Sequence, residues 1–324
     1  MRRTSGLIAA AVLVSTLAAC GAADERSGCT PFVPQGDASR AVNVEGDVGS
    51  QPTVTFPTPL VTEAGQATEV VRGDGEVISR GEVADAQVSL YNGEDGQLLT
   101  ATGYQENPEV ILRRTASADD SLGKALACTA VGSRVVYTTT VEEVYGPDNP
   151  QIPLENNATI VAVFDVEDAF PGRANGAPQL GQNGMPAVVL APNGRPGISV
   201  PAEEPPTDLR VAVLRQGNGP EVEQGDRVVL HYTGLTWDDE QIFDSSWEAG
   251  VPATFTAVSF EDDPAGIVPG LAEALIGQNV GSQVIAVIPP EQGYPEGQRP
   301  AAIPEGSTMV FVFDVLGIDQ SPVE

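Results

Sequence analysis

The sequence predicts an α+β chain made of two units, each built on an antiparallel sheet, and two observations predict it. Short apolar or alternating runs recur between Gly, Asn, Asp and Pro residues, the pattern of strands joined by turns. The second half also echoes the first. Residues 127–136 (ACTAVGSRVV) line up with 276–285 (IGQNVGSQVI) at an offset of 149, and the same offset pairs Tyr145 with Tyr294 and VFDV at 163–166 with VFDV at 312–315. Upstream, an offset of 141 pairs Tyr91-Asn92-Gly93 with Tyr232-Thr233-Gly234. A length of 324 residues has room for two such domains.

The N-terminus reads as a processing segment, residues 1–19, that takes no part in the fold. Arg2 and Arg3 give a positive start, 7–17 an apolar stretch too short for an ordinary membrane-spanning helix, and Leu17-Ala18-Ala19-Cys20 a small-residue cleavage site. A Cys directly after Leu-Ala-Ala resembles the bacterial lipobox. That resemblance implies cleavage before Cys20, its lipidation, and an extracytoplasmic protein anchored to the bacterial cell membrane through Cys20. With Cys20 set aside, Cys29 and Cys128 remain, and in an exported protein they are expected to form a structural disulfide, worth about 4 to 5 kcal/mol in the chain-entropy picture. Net charge is −29, with no basic patch, so a nucleic-acid partner is excluded and the acidity reads as solubility.

Residues 20–50 are small, polar and without a sustained period, and read as a flexible spacer. The first unit, 51–169, takes its strands from Val70 with Val71, 88–91, Leu98 with Leu99, 110–112, 135–141 and 160–166, with one short helix at 121–130. Residues 170–206 are dense in Pro, Gly and Asn and read as a linker, inside which 187–190 and 198–200 could form a small hairpin or add to a neighbouring sheet. The second unit, 207–319, has strands at 209–214, 228–232, 253–256, 283–288 and 307–318 and a short helix at 270–277; 320–324 is a tail.

The most informative stretch is VVLHYTGLTWDDEQIFDSS at 228–246. An apolar strand ends at Thr233-Gly234, a turn follows at 237–240, and Ile242-Phe243 resumes a strand, so Tyr232 sits on one arm of a hairpin and Phe243-Asp244 on the other. HYTG followed by FDSS resembles the FKBP-type peptidyl-prolyl cis/trans isomerases, strongly over 207–319 and weakly over about 68–168. The resemblance implies that each unit is an FKBP-like domain, a twisted antiparallel sheet wrapped around one short α-helix, the first of them degenerate.

Rotation about an X-Pro bond is slow because amide resonance must be broken, a barrier of about 18 to 20 kcal/mol. The twisted amide has lost much of its dipole, so an apolar, water-poor hollow stabilises it over the planar ground state without cofactor or metal. Carried over residue by residue, the resemblance implies that Tyr232, Phe243, Val268, Ile303 and Phe311 line such a hollow, with Ile267 beside them and Leu271, in GIVPGL, as the floor. The resemblance further implies that Asp244 accepts a hydrogen bond from the Tyr232 hydroxyl. By the same resemblance Tyr294, in EQGYPEG, and the backbone N–H of Val268 are expected to donate to the substrate carbonyl. Phe255 is expected in the core beneath, and His231, next to Tyr232, on the opposite strand face. The acidic groups 238–240 and 261–263 lack the Gly-spaced loop and terminal Glu of an EF-hand and read as solvated loops.

The sequence departs from the family at Leu271, commonly Trp, and at Ala253, often aromatic. A smaller floor implies weakened binding of macrolide immunosuppressants. In the first unit Leu99 and Thr100 stand for Phe243 and Asp244, while Asp119-Asp120-Ser121 replaces Val268-Pro269-Gly270, so that unit is expected to be weak or inert. The functional expectation is a prolyl isomerase acting on proline-containing polypeptides during the folding of exported proteins. The alternative is a non-catalytic chaperone or binding module for Pro-containing or apolar segments.

Overall fold

Each half of the repeat folds as an antiparallel sheet with the same strand order. The computed structural model describes residues 28–107, 111–295 and 297–319; the expected processing segment, Cys20 and residues 320–324 lie outside the described residues. The first half runs α1 (Asp37–Arg40), β1 (Asn43–Glu45), β2 (Thr53–Thr55), β3 (Gln66–Val71), β4 (Val83–Asn92), β5 (Leu98–Ala101), β6 (Leu112–Thr115), β7 (Arg134–Thr140), α2 (Val141–Tyr145) and β8 (Thr159–Phe170). The second runs β9 (Ala177–Pro178), β10 (Ala187–Leu190), β11 (Pro196–Ser199), β12 (Arg210–Gln216), β13 (Arg227–Thr236), β14 (Ile242–Ser245), α3 (Ser246–Ala249), β15 (Ala253–Thr256), α4 (Pro269–Leu275), β16 (Gln283–Ile288) and β17 (Met309–Ile318). Sheet one has the order β3-β7-β8-β4-β5 with β6 also on β4; sheet two has β14-β13-β17-β16-β12-β9 with β15 also on β13.

The bulges fix how the halves correspond. Against β8, β4 slips between Asp85 and Ala86; against β17, β13 slips between Val229 and Leu230. Ala86 faces Val166 and Leu230 faces Val315, so β4 maps onto β13 at an offset of 144, not 141. The counterpart of Tyr232 is therefore Val88, and that of Tyr91 is Leu235. A three-residue slip is odd, so it had turned Tyr91 onto the wrong face. Tyr91 lies on the outer face of its sheet, packed with Val136, Val161 and Val163, and its hydroxyl donates to the Pro52 carbonyl at 3.3 Å.

The central strands β4 and β13 are buried along almost their whole length because both faces of each sheet are covered. On the inner face of sheet two lies α4, started by Pro269 at its first turn, with Leu271, Ala272, Ala274 and Leu275 buried. In sheet one the helix expected at 121–130 is only a 3-10 turn, Gly123–Ala125. Asp120 Oδ1 accepts from the Leu122 and Gly123 amides at 3.1 and 2.7 Å, and Cys128 takes a left-handed φ of 70°. The chain turns away before a second helical turn can form.

The outer faces overturn two assignments, the spacer at 20–50 and the linker at 170–206. From residue 28 onward the first is part of the fold. Cys29 is joined to Cys128, β1 and β2 form a hairpin, and Val42, Val44, Val54 and Phe56 pack on the outer face of sheet one. The second is its counterpart: Phe170 ends β8, Ala177-Pro178 pairs with β12, and β10 and β11 form a hairpin whose Val188 and Ile198 pack with Met185 and Val200 on Ile285, Val287, Val310 and Val312. The offset of 144 maps Val44 and Val54 onto Val188 and Ile198. Each covering segment has too few apolar residues to show a period, since only one side of a two-stranded ribbon meets the sheet.

Each cover also meets a buried carboxylate. Asp165, fully buried, pairs with Arg134 at 2.6 Å, and the guanidinium donates to the carbonyls of Gly46, Asp47 and Ser50. At the matching place Asp314 accepts from Gln283 at 2.7 Å and from the Ala174 amide at 2.8 Å. Burial pushes the Asp314 carboxyl up to about 6.

Candidate active site

The residues singled out in the second unit converge at the inner face of sheet two, where β13, β14, β15 and β17 meet the start of α4. Tyr232, Val268, Leu271, Ile303 and Phe311 belong to one buried cluster, with Phe243, Ile267 and Tyr294 half-buried against it. Asp244 stands exposed at its rim.

Local backbone explains how Phe243 enters the hollow. β14 pairs Asp244 with Gly234 and Ile242 with Leu235, leaving Phe243 as the extra residue of a bulge that re-aims its ring. The ring meets Phe311 edge to face, with centroids 5.5 Å apart and planes at 72°. Gly234 makes the space, since a Cβ there would stand 2.6 Å from the Phe243 ring.

The Tyr232 hydroxyl donates to Asp244 Oδ2 at 2.5 Å, and its ring lies 6.3 Å from that of Phe311. Burial first, then the Asp244 carboxylate, pushes the Tyr232 hydroxyl well above the usual phenol range. Burial and the same carboxylate also raise Tyr294. Both phenols therefore stay protonated donors throughout the neutral range. The two serines of FDSS hold the Tyr232 backbone: Ser246 Oγ accepts from its amide at 2.8 Å, and Ser245 Oγ donates to its carbonyl at 3.2 Å.

Val268 precedes α4 with an extended backbone, and its carbonyl accepts from the Leu271 and Ala272 amides at 3.0 Å. Among the described residues no acceptor takes its own N–H. A buried backbone donor without a protein partner is what an amide-binding site offers a ligand carbonyl. Ile267 is tied to the preceding loop, donating to Val258 and accepting from Phe260, so it supports Val268 from the side.

The sequence reading missed Phe255. It is half-buried, with its ring 5.0 Å from that of Tyr232, and forms a wall of the hollow instead of the core beneath. The register decides its place: β15 pairs Ala253 and Phe255 with Leu230 and Val228, so Phe255 shares the face that carries Tyr232.

His231 lies on the other face. Its ring stacks on Trp247 at 3.9 Å and its Nδ1 pairs with Ser246 Oγ at 2.9 Å, and burial lowers it to about 4. A cavity of about 630 Å³ lies beside the disulfide; its lining of Glu76, Ser79, Arg80 and Glu82 is polar and suits no amide rotation.

The second unit is similar in sequence to known proteins. The family described as FKBP-type peptidyl-prolyl cis-trans isomerase matches residues 219–316. A "Probable FK506-binding protein" of Corynebacterium glutamicum is 33% identical over 124 residues, which cover 38% of this chain and 97% of that protein. An "FK506-binding protein" of Streptomyces anulatus is 29% identical over 125 residues, covering 38% of this chain and 97% of its own length. Among solved structures, FkpA from Escherichia coli is 28% identical with a TM-score of 0.32, covering 44% of this chain and 54% of that one.

Proposed function

Because the chain belongs to the FKBP-type peptidyl-prolyl cis-trans isomerase family, we propose that its second unit holds the active site and rotates X-Pro bonds of exported polypeptides. The observation that carries this is the convergence of Tyr232, Phe243, Phe255 and Phe311 with Asp244 at the rim and, at the α4 end, the Val268 N–H, which has no acceptor among the described residues. The prolyl ring enters between the aromatic walls, over Leu271. The Val268 amide and the Tyr294 hydroxyl hold the neighbouring carbonyls, while Asp244, fixed by Tyr232, keeps the rim polar and the centre dry. A dry aromatic hollow disfavours the planar, dipolar amide more than the twisted one, and each 1.36 kcal/mol of that difference is about tenfold in rate. The side chains bind and orient; no covalent step or proton transfer is required.

Leu271 in place of a larger aromatic floor leaves the macrolides that occupy such hollows with less contact, so they bind weakly. Cys20 anchors the protein by lipid on the outer side of the cell membrane. Incorporation of labelled fatty acid, lost in Cys20→Ser, tests the anchor.

The activity is tested on a short X-Pro peptide by NMR exchange or protease-coupled kinetics. The wild type accelerates exchange, and Tyr294→Phe lowers kcat/KM about threefold to tenfold, the worth of one hydrogen bond. A wild type that accelerates nothing ends the proposal, and full activity in Phe311→Ala moves the site elsewhere.

A further inference from the structure

The first unit touches the second beside the hollow. Strand β6 is the counterpart of β15: β6 pairs Arg113 with Asp85, and β15 pairs Thr254 with Val229. These two counterparts meet, Arg113 Nη1 donating to Thr254 Oγ1 at 2.6 Å. Two residues on, Thr115 Oγ1 donates to the carbonyl of Gly250, the residue that ends α3. Along β15 side chains alternate, so Thr254 faces the first unit while Phe255 faces Tyr232.

The contact is built on a fixed base. Asp85, almost fully buried, grips the Arg113 guanidinium through both oxygens, at 2.7 and 2.5 Å. The ring of Phe170 lies 5.5 Å from Arg113, and Asp319, itself 3.2 Å from Arg227, stands 4.0 Å away. Beneath them Val83 and Phe170 of the first unit and Val229 and Leu316 of the second form one buried apolar cluster. Phe170 presses on Gly317, where a Cβ would stand 2.3 Å from the ring. Within the second unit β15 has one strand partner among the described residues, β13, so its outer side is held by the first unit.

We propose that Arg113 and Thr115 of the first unit are positioning residues for the isomerase site: by holding Thr254 and Gly250 they fix β15, and with it the Phe255 wall against which Tyr232 and the prolyl ring pack. The proposal rests on the isomerase reading of the second unit. It gives the first unit a part in catalysis that needs no hollow of its own.

The test compares the wild type with Thr254→Val, Thr254→Ser and Thr115→Ala in the full chain, with steady-state kinetics on an X-Pro peptide and amide hydrogen exchange. Thr254→Val removes the acceptor for Arg113 and keeps the β-branched shape; KM rises about threefold to tenfold with kcat within about twofold, as for one hydrogen bond that fixes a binding wall. Exchange quickens at 250–256 and is unchanged in β16 and β17. Thr254→Ser restores wild-type KM, and Thr115→Ala shifts KM in the same direction by less. An active wild type with unchanged KM in Thr254→Val and Thr115→Ala overturns this inference alone; an inactive wild type overturns it together with the isomerase reading. If Thr254→Val quickens exchange throughout the chain, Thr115→Ala decides: unchanged KM there overturns the inference, and raised KM with quickened exchange confined to 250–256 supports it.

Discussion

In the second unit four aromatic rings on the sheet border the hollow; in the first, the same four backbone positions carry Val88 for Tyr232, Leu99 for Phe243, Arg114 for Phe255 and Ala162 for Phe311. Thr100 stands for Asp244. Leu99, with only Ala162 to meet, is 41% exposed. Arg114 brings a cation to a place that the twisted amide needs dry. The outer faces differ the other way, with a sealed Arg134–Asp165 ion pair in the first unit and Gln283, Asp314 and His231 in the second. One backbone therefore carries a charged seal on its outer face in the first unit and an aromatic hollow on its inner face in the second. The fold sets where side chains point, and five substitutions remove the aromatic, carboxylate-rimmed hollow without moving a strand.

The largest expected effect concerns the covers that both units share. A fragment of residues 207–319 lacks its cover and exposes Trp237, Ile285, Val310 and Val312, whose burial is together worth about 6 to 12 kcal/mol, comparable with a typical domain's whole net stability. Residues 171–319 should unfold in urea as one cooperative transition, whereas 207–319 should show none. Equal midpoints would remove the cover from the repeat. Next comes the seal itself. Arg134→Met leaves the Asp165 carboxylate buried without its partner and should cost about 3 to 5 kcal/mol. Gln283→Met removes one bond to Asp314 and should cost about 1 to 3 kcal/mol. Urea unfolding of the full chain measures both, and equal costs would erase the contrast between the outer faces.

How much of this the sequence carried depends on which interactions are local. The hairpin of 228–246 was legible because its strands, turn and Tyr232, Phe243 and Asp244 lie within one short stretch, and GIVPGL and EQGYPEG announce Pro- and Gly-fixed backbone at Val268 and Tyr294. Phe255 was misplaced because its face is set by pairing with β13, a long-range register. The covers were read as spacer and linker because hairpins such as β1–β2 have too little apolar surface to declare themselves until a sheet lies under them. Tyr91 was matched to Tyr232 by letter, and only the bulge at Asp85 and Ala86 corrects it. The helix at 121–130 failed because Asp120 and the backbone turn at Cys128 close it off.

A smaller effect separates the units by pH. His231 occupies the place of Gln87, and burial without a counter-charge lowers it from 6.5 to about 4. A depressed histidine stabilises the fold fully above its unfolded value, and that stability is lost as pH falls from 6.5 towards 4, on the order of 3 kcal/mol in all. Its cross-strand neighbour Asp314 works in the opposite sense: raised from 3.8 to about 6, it gains stability by taking up a proton as pH falls through that window. His231→Gln should leave the Asp314 contribution alone, so Tm on going from pH 7 to pH 4.5 should fall less than in the wild type. An identical pH profile would mean that His231 is charged in the fold.

The finest comparison is Asp244→Thr, which gives the second unit the residue of the first. Asp244 is exposed, so its loss should leave Tm within about 1 °C, the scale of neutral surface substitutions. Tyr232 loses a charged acceptor at 2.5 Å, its hydroxyl returns towards the ordinary phenol range, and its ring is free to tilt away from Phe311. The kcat/KM for an X-Pro peptide should fall about threefold to tenfold. The reverse exchange, Thr100→Asp in the first unit, should add no activity to a chain already inactivated in its second unit. Val88 offers no hydroxyl to hold the new carboxylate, and Arg114 stands where Phe255 would close the wall. Activity gained by that single change would show that the hollow of the first unit needs only a polar rim, and that its missing rings are not what silences it.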